Sequence, residues 1–276
     1  MIKIAQVSRN SLDSIIISSF FGLQMVAIYN NYYYVISAVT SILIVFMNAI
    51  AASVGNSVAI ESKEKNLLDM RIMNFLYLSV SGIFAASIMS VTQDFMIIWV
   101  GEELLLSKLM MSLFVLYFIL MKIGDVQAQY FDAAGLWWHG RMRGFIEAIT
   151  NLALNVCLGY LLGPLGVILA TIFSILLINF PLSTYYTFKY YYKKSPIEFI
   201  SEQMINLIKI IFSCIPVFEI SRLTFFSGSI AYSIVNIILK IILSVIFYCV
   251  IYTVINYKCN LAKESLLWFK ARMIIK

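Results

Sequence analysis

The side chains able to do chemistry here are few, and they interrupt long apolar runs. Asp13 stands at the head of a stretch, residues 14–60, that contains no charged residue. Lys122 and Asp125 are three residues apart, so on a helix they share a face and can pair. Gln129 lies one turn beyond Asp125. Glu147, Asn151 and Asn155 follow at four-residue intervals along one stripe, and Lys209, Glu219 and Lys240 fall in later apolar runs. Ionisable groups in hydrocarbon are expensive and mark substrate or ion paths by default. Each also has a plainer reading. Lys122–Asp125 as an ion pair lowers its own burial cost. Asn151 and Asn155 can bridge helices, for about 0.6–2 kcal/mol. Lys209 and Glu219 are near enough to helix ends to snorkel. Lys240 is ten or more residues from either end of its run, roughly 15 Å or more, and is harder to dismiss.

Other chemistries find no footing. The single histidine, His139, sits in a loop beside Trp138 and Arg141, with no Ser or Cys nucleophile arrangement around it. There is no G-x-x-x-x-G-K-[ST] phosphate loop. We therefore expect no enzyme and no resident cofactor. Cys157, Cys214, Cys249 and Cys259 form no C-x-x-C pair and read as packing residues and free thiols. The net charge of +6 comes from loops between apolar runs, which argues against nucleic acid as a partner.

The elements that hold these residues follow from composition. Of the 276 residues 62% are hydrophobic and 12% charged, about half the charged share a water-facing surface carries. A bilayer core about 30 Å thick needs roughly 20 apolar helical residues. The expected fold is an all-α polytopic transmembrane bundle of about eight spans. They fall near residues 12–29, 33–58, 72–91, 106–131, 145–162, 165–188, 204–223 and 230–256, with the turn Gly163-Pro164-Leu165-Gly166 joining the fifth to the sixth. Residues 261–276 are too short and basic to span. Leu266, Phe269 and Met273 there suit a helix lying on the membrane surface. Lys63, Lys65, Arg71, Arg141, Arg143, Lys189, Lys193 and Lys194 fall on one set of alternate loops, so the positive-inside rule puts both termini in the cytoplasm. No cleavable signal peptide is read in residues 1–10. Tyr29 and Tyr32–Tyr34, Trp99, Trp137, Trp138 and residues 185–192 read as interfacial aromatic belts.

Four segments carry a resemblance: SLDSIIISSFFGLQMVAIYNNYYYV, NAIAASVGN, IIWVG and GRMRGFIEAITNLALNVCLGYLLGPLGVILATIFS. In this order they resemble O-antigen flippases, the Wzx-type polysaccharide exporters of the multidrug/oligosaccharidyl-lipid/polysaccharide exporter superfamily. The chain is similar to the second half of such a protein, the second of two lobes facing a central cavity. Residues 1–192 would then be the six-helix second lobe, 193–256 two additional C-terminal spans and 257–276 a basic cytoplasmic interfacial tail. A fragment, a truncated frame and one part of a split transporter all fit that expectation.

The resemblance implies a function in the bacterial inner membrane. Such proteins move undecaprenyl-pyrophosphate-linked oligosaccharide, as in lipopolysaccharide and other polysaccharide biosynthesis, to the periplasmic leaflet by alternating access. The partners implied are that lipid-linked oligosaccharide, membrane lipids, and a first lobe or polysaccharide assembly proteins. Lys122, Arg141, Arg143 and Lys240 would meet the pyrophosphate, and Asp125 and Gln129 complete the expected substrate-binding set. Related lipid II flippases are similar in having a sodium site in this lobe. Asp13, Asn151, Asn155, Val167 and Thr171 fall in its places, with Na+ or H+ as coupling ion. Asn155 departs from the pattern, which has an acidic residue there, so weak binding is expected. Two further readings remain: a non-transporting fragment or assembly partner, and a membrane polysaccharide polymerase. The polymerase would need a large outer loop, and the longest here covers only residues 91–105.

Overall fold

The computed structural model describes residues 2–226 and 228–274, and among them the chain is helical with no strand. The helices are α1 (Ile2–Ile60), α2 (Lys63–Val100), α3 (Lys108–Lys122), α4 (Asp125–Ala133), α5 (Arg143–Leu162), α6 (Pro164–Ser174), α7 (Phe180–Tyr186), α8 (Ile197–Ile220), α9 (Ile230–Asn256) and α10 (Asn260–Ile274). A short 3-10 turn covers Glu102–Leu104, and π-turns at Ile175–Asn179 and Thr187–Tyr192 bracket α7. Seven stretches are long and apolar enough to cross a membrane: Leu12–Ile60, Lys63–Val100, Lys108–Ala133, Arg143–Leu162, Pro164–Tyr192, Ile197–Ile220 and Ile230–Asn256. Local signals set several starts. Ser62 caps α2 by accepting from the Lys65 N–H at 3.2 Å, Ser107 caps α3 in the same way, and Pro164 opens α6 where no donor is needed.

The expected first and second spans lie within the one stretch α1, which changes direction at Gly22 (φ 82°, ψ 169°). That backbone region is open essentially to glycine alone. Ser14 Oγ lies 3.4 Å from Asn30 Oδ1. In an unbroken helix residues 16 apart are about 24 Å apart, so the chain folds back on itself at Gly22. The loop expected at residues 30–32 is therefore corrected: Asn30 and Asn31 are helical, and the reversal uses the glycine eight residues earlier. The belt assignment of Tyr29 and Tyr32 is corrected with it, since both are buried. The Tyr32 hydroxyl donates to Gln93 at 2.7 Å and accepts the Leu106 N–H at 3.0 Å, pinning α1 to the α2–α3 connection. Trp99, Trp137 and Trp138 are exposed, as a belt requires.

Two groups of contacts organise the bundle. In one, α5 packs on α6 and on α1. The α5–α6 turn is so close that a Cβ on Gly166 would lie 1.9 Å from the Leu158 carbonyl oxygen. In the other, α2 carries α3, α8, α9 and α10. Polar ties stitch this side: Arg71 to Glu198 and Glu202, Asn74 to Gln203, the Tyr252 hydroxyl 3.1 Å from Ser79, and Trp268 Nε1 donating to Asp69 at 2.8 Å. Lys209 donates to Asn256 at 3.0 Å and Glu219 pairs with exposed Arg222, so neither points into a cavity. The side chains of Leu266, Phe269 and Met273 lie outside those described.

Candidate functional site

Three helices bring five scattered residues to one point. Asp13 is on the first arm of α1, Asn151 and Asn155 are on α5, and Val167 and Thr171 are on α6; all five are buried. Asp13 Oδ1 accepts from Asn155 Nδ2 at 2.6 Å, and its Oδ2 lies 3.1 Å from the Thr171 hydroxyl. That hydroxyl is also 3.3 Å from the Val167 carbonyl oxygen; with one proton it serves one acceptor at a time. Asn155 Nδ2 gives its second proton to Asn151 Oδ1 at 3.2 Å, and Asn151 Nδ2 reaches Thr171 and Ser174 at 3.3 and 3.4 Å. Asn155 is fully buried, and among the described residues its Oδ1 has no hydrogen-bond donor. Such an oxygen is costly unless something else is to bind it.

This donor set fits a small hard cation. It offers one carboxylate, two amide oxygens, one hydroxyl and one backbone carbonyl, all oxygen. Asn155 presents Nδ2 to Asp13, so an ion there asks for a half-turn of that amide to bring Oδ1 round. One formal charge suits a monovalent cation better than a divalent one.

A cavity of about 310 Å³ lies beside α1 and α5, with α3, α4 and the segment after α6 completing its wall. Lys122, Asp125, Gln129, Arg143, Glu147 and Asn179 line it, with Thr40 and Asn48 from α1. Lys122 Nζ pairs with Asp125 Oδ2 at 3.1 Å, as the three-residue spacing expects, and the Tyr77 hydroxyl donates to the same oxygen at 2.6 Å. Lys122 is only 2% exposed. The pair sits where the span breaks at Ile123 and Gly124, between α3 and α4. A broken helix facing a cavity leaves backbone groups and charges available to a ligand. Arg143 Nη1 donates to Ser183 Oγ, with its guanidinium 5.5 Å over the Phe131 ring. Glu147 accepts from Asn179 Nδ2.

Two of the expected anion contacts lie elsewhere. Lys240 forms an ion pair with Asp94 of α2 and donates to the Ser221 carbonyl at 2.9 Å, so its charge is spent between α2 and α9, away from the cavity. Arg141 is in the exposed loop before α5 and stacks on Trp138, 3.8 Å from the ring centroid. His139 rests on the Tyr190 ring at 4.0 Å.

Sequence reasoning passed over several partners. Asn179, Ser174, Ser183, Tyr77 and Asp94 each receive one of the flagged residues. Gln127, fully buried, binds Ser183, Thr184 and Thr187 and ties α4 to α7. Its only signal was an amide two residues after Asp125. Comparison with protein-family models, curated proteins and solved structures matches nothing to this chain.

Proposed function

We propose that this chain is one lobe of an ion-coupled membrane flippase. Its cargo is an undecaprenyl-pyrophosphate-linked O-antigen or related oligosaccharide, and it works by alternating access against a facing lobe. The reading places it in the bacterial inner membrane with eight spans, counting the two arms of α1 separately, and with both termini in the cytoplasm. The observation that carries it is the meeting of Asp13, Asn151, Asn155, Val167 and Thr171. They come from three helices, up to 158 residues apart in sequence, and share one buried hydrogen-bonded cluster. Asp13, Asn151, Asn155, Val167 and Thr171 would hold a bound Na+. An ion there would supply the driving force, while the chain's own oxygens select and orient it.

The cavity supports the cargo assignment. Lys122 and Arg143 place cationic groups in a space that also holds amides and a carboxylate. Arg143 can bind a phosphate through two N–H groups, and Gln129 and Asn48 suit sugar hydroxyls. Arg141 lies in the loop before this cavity, where it can meet the headgroup on entry. Lys240 is left out of the substrate set because Asp94 holds it.

The test is export in a strain lacking its own O-antigen flippase. The chain alone should give no surface O-antigen, because one lobe cannot close a cavity. Co-expressed with the first lobe of a related flippase, it should restore export. A membrane-inserted pair that exports nothing would favour an assembly partner or inert fragment. Altered glycan chain length in a polymerase-deficient strain would favour the polymerase.

A further inference from the structure

One buried stripe on α5 joins the cavity to the carboxylate cluster. Arg143, Glu147, Asn151 and Asn155 recur every four residues and are 9, 6, 0 and 0% exposed. Each meets a polar group on the facing segment. Arg143 meets Ser183, Glu147 meets Asn179, Asn151 meets Thr171 and Ser174, and Asn155 meets Asp13. The first two line the cavity; Asn155 donates to Asp13, and Asn151 supports that contact through Asn155 and Thr171. Ile17, one turn from Asp13, and Ile168, three residues before Thr171, are also buried.

The geometry points to this stripe as the route by which a monovalent cation passes between the cavity and Asp13. Glu147 is the carboxylate at its cavity end that draws the cation in. The inference rests on the cation reading of the Asp13 cluster and adds a path and a second acidic residue. A cation crossing apolar interior needs an oxygen at each step, and side-chain oxygens of Glu147, Asn179, Ser174 and Asn151 lie in that order along the seam. Glu147 and Asn155 are eight helical residues apart, about 12 Å. Asn155 Oδ1, buried and without a donor among the described residues, lies at the inner end. The route opens into the same cavity as Lys122 and Arg143, so a cation and an anionic cargo would share one compartment.

The test uses the full chain in lipid nanodiscs and compares association with release. Radiolabelled sodium is followed by rapid filtration, and a parallel arm follows proton uptake with a pH indicator dye; the same criterion applies to whichever cation binds. Glu147→Gln should slow association about tenfold, the effect of one unit charge about 12 Å away at an effective dielectric of about 20. Release should stay within about twofold, because the Asp13 ligands are untouched. Glu147→Asp should recover most of the rate. Should Glu147→Gln fail to fold, Asn179→Ala, which keeps the carboxylate but removes the next oxygen along the route, should slow association as well, and parent-like association there overturns the route. Parent-like association in a folded Glu147→Gln protein overturns the route. A control separates this from the underlying reading: if Asp13→Asn still binds both cations like the parent, the Asp13 cluster is not the site, and route and reading fall together.

Discussion

Removing one negative charge from the α1–α5–α6 cluster separates a cation site from a structural knot. Asp13→Asn keeps the size and shape of the side chain. Asp13 now accepts from Asn155 at 2.6 Å and from Thr171 at 3.1 Å. The substitution turns one acceptor into an N–H donor pair, which would ordinarily strand a polar group. Here it does not: placed at the Oδ2 position the new Nδ2 donates to Thr171 Oγ1, whose own proton then serves the Val167 carbonyl, and the Asn155 contact is kept. The loss in fold stability should therefore be under about 1 kcal/mol. The effect on a bound cation is far larger. A unit charge about 4 Å away contributes about 4 kcal/mol at an effective dielectric near 20, roughly a thousandfold in affinity. The assay pairs sodium binding in nanodiscs with thermal unfolding of the same preparation. The expected result is unchanged unfolding with binding lost. Affinity within about tenfold of the parent would refute the electrostatic reasoning. So would an unfolding penalty of several kcal/mol with binding retained, which would make Asp13 a structural acceptor.

Cysteine-accessibility labelling should place Lys63, Arg141, Lys193 and Lys263 in the cytoplasm and Glu102 outside; periplasmic labelling at Lys193 would overturn the eight-span reading. Gly166→Ala should destabilise the α5–α6 hairpin by about 1–3 kcal/mol or more, because the new methyl meets the Leu158 backbone at 1.9 Å, read as a lower unfolding temperature and weaker cation binding together. Lys240→Met should cost up to about 3 kcal/mol by leaving Asp94 without its cation, and adding Asp94→Leu should recover most of that loss in a double-variant unfolding cycle. Parent-like export by the double variant in a two-lobe protein would agree with Lys240 as a structural cation; lost export with normal folding would return it to the substrate path.

The span pattern was legible because hydrocarbon leaves little choice, and apolar runs of the required length recur along the chain. Polar residues inside those runs were legible for the same reason: Asp13, Lys122, Glu147 and Lys240 stand out where charge is expensive. Their partners did not stand out. Serine, threonine and single amides are cheap enough in spans to pass without notice, so Ser174, Ser183 and Asn179 carried no signal until the helices were packed. Asp94 looked like part of an outer loop because the expected third span ended at Val91. The helix runs on to Val100 and carries Asp94 inward to Lys240. The hairpin position failed for a related reason. The expected spans left residues 30–32 between them, but only glycine takes the backbone angles of this reversal without strain, and Gly22 was hidden among phenylalanines and leucine.

Register explains why only half of the α5–α6 seam could be read. On α5 the polar residues recur every four positions, and an α-helix returns to nearly the same face after four. On the facing segment Val167, Thr171, Ser174, Asn179 and Ser183 are spaced by four, three, five and four. At about 100° per residue, a step of five would swing Asn179 about 140° away from Ser174, toward lipid. An α-helical reading therefore separates Asn179 and Ser183 from the stripe. The π-turn at Ile175–Asn179 absorbs the extra residue and brings both back to face α5. It takes one main-chain hydrogen bond out of its ordinary register, a cost hard to justify by packing when Leu177 within it is exposed. What the turn does achieve is the pairing of Glu147 with Asn179 and of Arg143 with Ser183, the two contacts that carry the polar seam from Asp13 into the cavity.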